Sequence, residues 1–348
     1  MKRFFNSGFI GLLHVLMASS QLFGQNCLAD SGKVYGENAR KFHFGWFGSD
    51  IAGTIRWGML SASVPEKDII GVILLLNGRT EFMEKYNGVA TILSSMGYNV
   101  LSMDWRGQGL SSRDIPERHK GYVADFAYYL NDLDRFYSDI VAGMGLPVTI
   151  MAHSMGGHIA LRFLMEKAHN NKIPHQIKKA ILLSPMTDIC TSPVPRRLAD
   201  TIASIAVKAG LKTSYFPGNH DYSREKVKFK DNPLTHDHDN FFIEHDEIEK
   251  NRELALGGVT WGWLKAAFDS IKYLDSPVEL SAINIPVWIA SAELDSVVCN
   301  SSHKKICESL PMCRIVTIPG ANHEILFERK DIQEKFWNVV PLDNQVDF

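Results

Sequence analysis

Val148-Thr-Ile-Met-Ala152-His153-Ser154-Met155-Gly156-Gly157-His158 carries an apolar run straight into a serine, and a segment of helical period leaves from that serine at once. A serine on so sharp a strand-to-helix turn is lifted to the carboxyl end of a sheet, where its hydroxyl is exposed as a nucleophile. The turn needs small residues two places before and two places after the serine. Ala152 and Gly156 stand there, so the usual first glycine is an alanine, a change of one methyl. Serines beside glycines are common by chance. The strand before and the helix after give this one its weight.

Outward from Ser154 the chain alternates. Lys41–Gly48 and Thr54–Leu60 predict a hairpin turning at Ser49-Asp50, and Ile69–Leu76 is a continuous apolar run suited to a strand buried on both faces. Further strands are expected over Tyr98–Met103, Pro147–Ala152, Lys179–Ser184, Ile285–Ser291 and Arg314–Ile318. Helical periods fill Glu81–Met96, Tyr122–Val141, Met155–Lys167 and Ile332–Val340. This alternation predicts an α/β fold with a mostly parallel central sheet and helices on both faces, built from residues 40–184 and 278–342. Residues 185–277 break the pattern with helical segments and no clear buried strand, and are expected to form an inserted helical cap. The apolar stretch Leu254–Leu274 argues against a disordered loop. Its Trp261, Trp263 and Phe268 are expected to roof an acyl-chain pocket, with plain core aromatics as the alternative.

A serine hydroxyl attacks only when a base removes its proton, and the base needs an acid to orient it. In this architecture serine, acid and histidine follow one another along the chain, each after a later strand. Asp295 stands just beyond the strand ending at Ser291, and His323 in the loop after Arg314–Ile318, so these two are the expected partners of Ser154. Glu293 and Asp188 are rivals for the acid, and His153 is expected to be structural. The oxyanion donors are expected to be the backbone N–H groups of Met155, next to the nucleophile, and of Arg79, in Asn77-Gly78-Arg79-Thr80-Glu81. Asp104-Trp-Arg-Gly-Gln-Gly109 lacks the Lys-Ser/Thr ending of a phosphate loop. His236-Asp-His238-Asp239-Asn240 is expected to be a solvated cap loop, with no metal and no cofactor.

Across the 348 residues, 45% are apolar and 22% charged, and 37 basic against 39 acidic side chains give a net charge of −2. That balance excludes a dedicated nucleic-acid binder, a disordered chain, a membrane bundle and a disulfide scaffold. The five cysteines, at 27, 190, 299, 307 and 313, contain no C-x-x-C pair and are expected to be mostly unpaired thiols. One pair among Cys299, Cys307 and Cys313 is expected only in an oxidising compartment. Residues 1–24 have the basic start (Lys2, Arg3) and apolar run (Phe9–Ala18) of a signal peptide or N-terminal anchor. That predicts a periplasmic, secreted or envelope-associated protein, with a cytoplasmic one as the alternative.

Several motifs together resemble the lysophospholipase and monoacylglycerol-lipase group of α/β-hydrolases. They are Asn77-Gly-Arg-Thr-Glu81 with Lys85-Tyr86, Asp104-Trp-Arg-Gly-Gln-Gly-Leu-Ser111, Ala152-His-Ser-Met-Gly-Gly157, Leu294-Asp295 and Gly320-Ala-Asn-His323 through Glu328. Asn232-Pro-Leu-Thr235 and Gly257-Gly-Val-Thr-Trp-Gly-Trp-Leu264 in the cap are similar to the bacterial lysophospholipase L2 branch. The resemblance spans about residues 40 to 340. It implies a serine esterase with Ser154, Asp295 and His323 as triad, a lipid ester as substrate, and Asp104–Gly109 as a structural turn behind the site. Asn77 and Ala152 depart from the monoacylglycerol-lipase pattern and favour the lysophospholipase branch. Monoacylglycerol, a short ester or a peptide N-terminus remain alternative substrates, and a non-catalytic hydrolase-fold binding protein is the reading of another class. Peripheral membrane association stays open, as does oligomeric state.

Overall fold

Strand β3 (Gly71–Leu76) and strand β5 (Val148–His153) lie side by side and in parallel at the middle of the sheet, and every residue of both is buried. The computed structural model describes residues 40–342 except 171 and 192. The expected leader over residues 1–24 and Cys27 therefore lie outside the described residues. Around the central pair run β1 (His43–Gly48), β2 (Thr54–Leu60), β4 (Tyr98–Met103), β6 (Ile177–Leu183), β7 (Val287–Ala292) and β8 (Cys313–Ile318). The eight strands are ordered β1-β2-β4-β3-β5-β6-β7-β8. The first two pairings are antiparallel and the rest parallel, so the sequence-predicted hairpin caps one edge of a parallel sheet.

Side chains alternate between the two faces with the period of a strand. Leu74, Leu76, Ile150 and Ala152 enter one core with helices α2 (Ala127–Phe136) and α3 (Ser154–His169). Ile73, Leu75 and Met151 enter the other with α1 (Asn87–Ser95). Two expected helices are shorter than their periodicity suggests. The first turn of the Glu81–Met96 segment is a 3-10 turn over Met83–Tyr86, because Phe82 is extended at φ −150° and Thr80 is left-handed at φ 70°. The Tyr122–Val141 segment becomes helical only at Ala127, whose N–H is capped by Asp125 Oδ1 at 2.8 Å, and ends in a π turn over Tyr137–Val141.

The strand order reverses between β3 and β5, since the chain passes from β4 on one side to β5 on the other. In such sheets the crevice beyond the carboxyl ends at the reversal is where ligands bind. Between β6 and β7 the insertion supplies α4 (Arg196–Lys208), α5 (His238–Lys250), α6 (Trp261–Tyr273) and the single turn α7 (Pro277–Leu280). Asp237 and Thr260 side chains cap α5 and α6 by accepting backbone N–H groups. The insertion is seated on α3 by Ser270, whose Oγ lies 2.6 Å from His158 Nε2 and accepts from Arg162 Nη1 at 2.8 Å. Helices α8 (Asn300–Ser309) and α9 (Lys330–Val339) follow β7 and β8 in turn. Among the described residues, no helix is long and apolar enough to cross a membrane.

The cysteines correct the expectation of unpaired thiols. Cys190 is bonded to Cys299, and Cys307 to Cys313. The first pair is distant in sequence but only 5.2 Å apart at Cα, because each member follows the carboxyl end of one of two adjacent parallel strands, β6 and β7.

Candidate active site

Ser154 is the first residue of α3 and has φ 51°, in the left-handed region that non-glycine residues rarely adopt. With no linker between β5 and α3, the chain must turn within this one residue. The small neighbours have a direct cause. A Cβ on Gly156 would stand 2.4 Å from the Asn77 carbonyl oxygen, and one on Gly157 2.8 Å from Pro185 Cβ. Packing of the helix start against the β3 loop thus requires glycine after the serine. Ala152 is tolerated because it sits within β5, paired with Leu182.

The Ser154 hydroxyl donates to His323 Nε2 across 2.9 Å, and His323 Nδ1 donates to Asp295 Oδ2 across 2.7 Å. His323 follows β8 and Asp295 follows β7, the positions the strand contexts predict. The second oxygen of Asp295 accepts the N–H groups of Val297 and Val298 at 2.8 and 3.1 Å. Burial alone would raise the Asp295 carboxyl. The His323 hydrogen bond and the two backbone donors outweigh it and hold the group below its ordinary value. The rivals are engaged elsewhere: Glu293 accepts the Gly320 N–H at 2.7 Å, and Asp188 pairs with Arg196 at 3.0 Å.

Above the serine the loop after β3 is held from both sides. Gly78 N–H donates to Glu81, and Thr80 N–H donates to Gln108 Oε1 at 3.2 Å. Between them the Arg79 N–H has no acceptor among the described residues, and neither does the Met155 N–H at the start of α3. The two N–H groups expected as oxyanion donors are thus without an acceptor among the described residues. Asp104–Gly109 braces this loop: Trp105 Nε1 donates to Asn77 O at 2.8 Å and Gln108 Nε2 to Gly78 O at 3.0 Å.

The serine opens into a cavity of about 350 Å³. Its lining is partly apolar, with Met186, Ile189, Val259, Trp263, Leu264 and Val298, and partly charged, with Arg79, Lys85, Glu244 and Glu324. Of the three aromatics expected as a roof, only Trp263 lines this space. Trp261 packs on Phe216, with ring centroids 4.9 Å apart, and Phe268 is wholly buried in the core beside Arg196. At about 100° per residue, Trp261 and Phe268 point some 160° and 140° away from Trp263 on α6.

Sequence reasoning missed the ion cluster on the cavity lining. Lys85 Nζ donates to Glu81 Oε1 at 2.8 Å, Glu324 Oε1 at 2.7 Å and Glu244 Oε2 at 3.1 Å, and the Tyr86 hydroxyl donates to Glu81 at 2.7 Å. Burial opposes charge on Lys85, but the three carboxylates hold its pKa well above the ordinary value. Burial raises Glu244 and Glu324. Glu81 and Lys85 at i, i+4 was a readable signal; Glu244, on a charged cap helix, was not. His153, expected to be structural, also lines the cavity, its ring 4.7 Å from that of His323, and burial lowers its pKa to about 4. Glu81, His153 and Glu324 bring ligand atoms within 4.8 Å of one another, but the Lys85 ammonium already fills the cationic place among the carboxylates. The His236 cluster is tied into the fold, with Nδ1 2.7 Å from Glu328.

A serine on a strained elbow, hydrogen-bonded to a histidine that is bonded in turn to a carboxylate, at the carboxyl end of this sheet, has the layout of an α/β-hydrolase. The chain belongs to the serine aminopeptidase S33 family, which it matches over residues 67–330. It is 31% identical over 271 residues to the probable lysophospholipase L2 of Haemophilus influenzae, covering 77% of this chain and 82% of that one. It is 29% identical over 267 residues to the lysophospholipase L2 of Escherichia coli K12, covering 74% and 75%. A crystal structure of a soluble variant of the Saccharomyces cerevisiae monoglyceride lipase with a substrate analog shares the fold, with a TM-score of 0.69 at 20% identity over 87% of this chain and 95% of that one.

Proposed function

We propose that this hydrolase cleaves the carboxylic ester of a lysophospholipid through an acyl-enzyme on Ser154, releasing a fatty acid and a glycerophospho-alcohol. The observation that carries the reading is the Ser154–His323–Asp295 chain, at 2.9 and 2.7 Å, opening into a cavity lined by both apolar and charged side chains. Similarity to two chains named lysophospholipase L2 supports the choice of substrate.

Ser154 Oγ adds to the acyl carbonyl as its proton passes to His323 Nε2. The carbonyl oxygen becomes an oxyanion and is received by the N–H groups of Arg79 and Met155, each such donor being worth about 10²–10³ in rate. Asp295 fixes the imidazole tautomer and stabilises the imidazolium. The glycerol oxygen departs with the proton from His323, leaving the acyl group on Ser154. Water then adds to the acyl carbon, giving its proton to His323, which returns it to the departing Ser154 oxygen.

Fatty-acid release from a lysophospholipid and from a monoacylglycerol, with Ser154→Ala as blank, tests the reading. Release from lysophospholipid that vanishes in the variant is expected. Release from monoacylglycerol alone would move the substrate and keep the chemistry, and activity surviving in Ser154→Ala would reject the nucleophile. Monoacylglycerol is the second reading because the same apolar lining suits its acyl chain. Labelling by a fluorophosphonate separates either from a non-catalytic binder.

We also infer an oxidising compartment, supported by the two cysteine pairs and by the leader-like residues 1–24. Peripheral membrane contact is supported by α4, which turns Ala203 and Ala206 inward and leaves Leu198, Ile202 and Ile205 exposed by 51%, 43% and 61%.

A further inference from the structure

Arg79 has a second feature, separate from its backbone N–H. Its guanidinium lines the cavity, stacked 5.5 Å from the Trp263 ring centroid, and Nη2 donates to Gly257 O at 2.6 Å. Nε is buried and has no partner. The most deeply buried arginines are paired, Arg56 with Glu84 and Asp104, Arg106 with Asp114 and Asp132, and Arg162 with Glu166, while all three bonding nitrogens of the half-buried Arg113 reach backbone carbonyls. Arg79 has no such carboxylate among the described residues, and burial lowers its pKa to about 10. Of the carboxylates only Glu244 acts on it, from beyond ion-pair distance, and a guanidinium withdrawn from water without a directly paired carboxylate is a costly arrangement. It is a sensible one where an anion arrives with the substrate, since the planar fork suits phosphate oxygens.

We infer that the Arg79 side chain is the phosphate receptor of a zwitterionic phospholipid head group. This rests on the lysophospholipid reading above and sharpens it. Arg79 lines the same cavity as Lys85, Glu244 and Glu324, with its guanidinium over the Trp263 ring, where charged and apolar lining meet. The three carboxylates Glu81, Glu244 and Glu324 face a single ammonium, that of Lys85. Burial raises Glu244 and Glu324, so the cluster holds protons that a second ammonium would displace; three carboxyl groups about one ammonium therefore suit phosphoethanolamine or phosphocholine better than a head group that carries only the phosphate charge. A monoacylglycerol offers nothing to the guanidinium. The side chain therefore sets specificity, while the main chain of the same residue serves the chemistry.

The test is a ratio of kcat/KM values for lysophosphatidylethanolamine and monoacylglycerol of one acyl chain, in wild type, Arg79→Gln and Arg79→Lys. Any damage to the oxyanion loop lowers both substrates alike and cancels. Arg79→Gln is expected to lower the ratio by about 10- to 100-fold, the loss of a charge-assisted hydrogen bond, chiefly through KM. Arg79→Lys should recover part of it. An unchanged ratio makes the guanidinium a tether between loop and cap and overturns the inference. A wild type that hydrolyses monoacylglycerol but no lysophospholipid overturns the substrate reading itself. If Arg79→Gln does not fold, wild-type enzyme decides: glycerophosphoethanolamine should inhibit monoacylglycerol hydrolysis at concentrations at least about tenfold below glycerol, and equal inhibition refutes the phosphate receptor. Lysophosphatidic acid turned over faster than lysophosphatidylethanolamine would reject the zwitterionic head group.

Discussion

Replacing Gly156 by alanine puts a methyl where the backbone of the oxyanion loop already stands. The added Cβ lies 2.4 Å from Asn77 O and 2.7 Å from Leu76 O, both main-chain atoms that cannot swing aside. Ordinary contact begins at 3.4 Å, so the loop must retreat by 3.4 − 2.4 = 1.0 Å. Gly78 and Arg79 follow Asn77 directly, and the Arg79 N–H is carried along. A displacement of about 1 Å in a catalytic constellation costs about 10²-fold, comparable to losing one oxyanion donor. Stability changes less, because overpacking costs about 1–3 kcal/mol while alanine in a helix recovers about 0.5–1 kcal/mol. The assay is kcat on a short p-nitrophenyl ester, beside the thermal midpoint and the rate of fluorophosphonate labelling. Gly143→Ala is the control, since a Cβ there meets nothing within 4 Å. A folded Gly156→Ala enzyme with kcat within about threefold of wild type would refute both the pinning of the loop and the Arg79 donor.

His153 and His158 are buried and neutral, with burial lowering their pKa values to about 4 and 3. Because these lie below the unfolded value near 6.5, the unfolded chain binds the extra protons, so their stability is full above pH 6.5 and is lost as pH falls. Each should cost about 2 kcal/mol between pH 7 and 5, read as a fall in the urea midpoint; a flat profile would mean the two rings are not buried neutral. Lys85→Met strands three carboxylates, and a loss of about 3–5 kcal/mol is expected, partly reversed by adding Glu81→Gln; a Tm equal to wild type would contradict the ion cluster. Leu198→Ser with Ile202→Ser and Ile205→Ser should weaken sedimentation with phospholipid vesicles while leaving hydrolysis of a soluble ester intact. Undiminished co-sedimentation would remove α4 as the contact.

The elbow at Ser154 was legible because strand, turn and helix are all local, and turn sterics dictate small residues at fixed offsets. Asp295 and His323 were legible because a parallel sheet delivers each functional loop to the same edge, so a position after a strand is also a position in space. The cap offered no such rule. Trp261, Trp263 and Phe268 share one helix, and its rotational phase, set by tertiary docking, admits only Trp263 to the cavity. Glu244 lies in a stretch whose composition reads as a solvated face, yet α5 turns it inward onto Lys85. Cys190 and Cys299 are separated by 109 positions, a pairing that only the adjacency of β6 and β7 creates.

That pairing closes a covalent ring running from Cys190 to Cys299, which takes in the insertion beyond Cys190 together with strand β7. A protease that cuts once within the ring opens a gap and frees no fragment. The two halves of the core stay linked through the bond and through the sheet, on either side of Ser154 and His323. Cleaved and intact chains should then co-migrate until a reductant is added. A nicked lid would be carried by this enzyme as a wound within a single molecule.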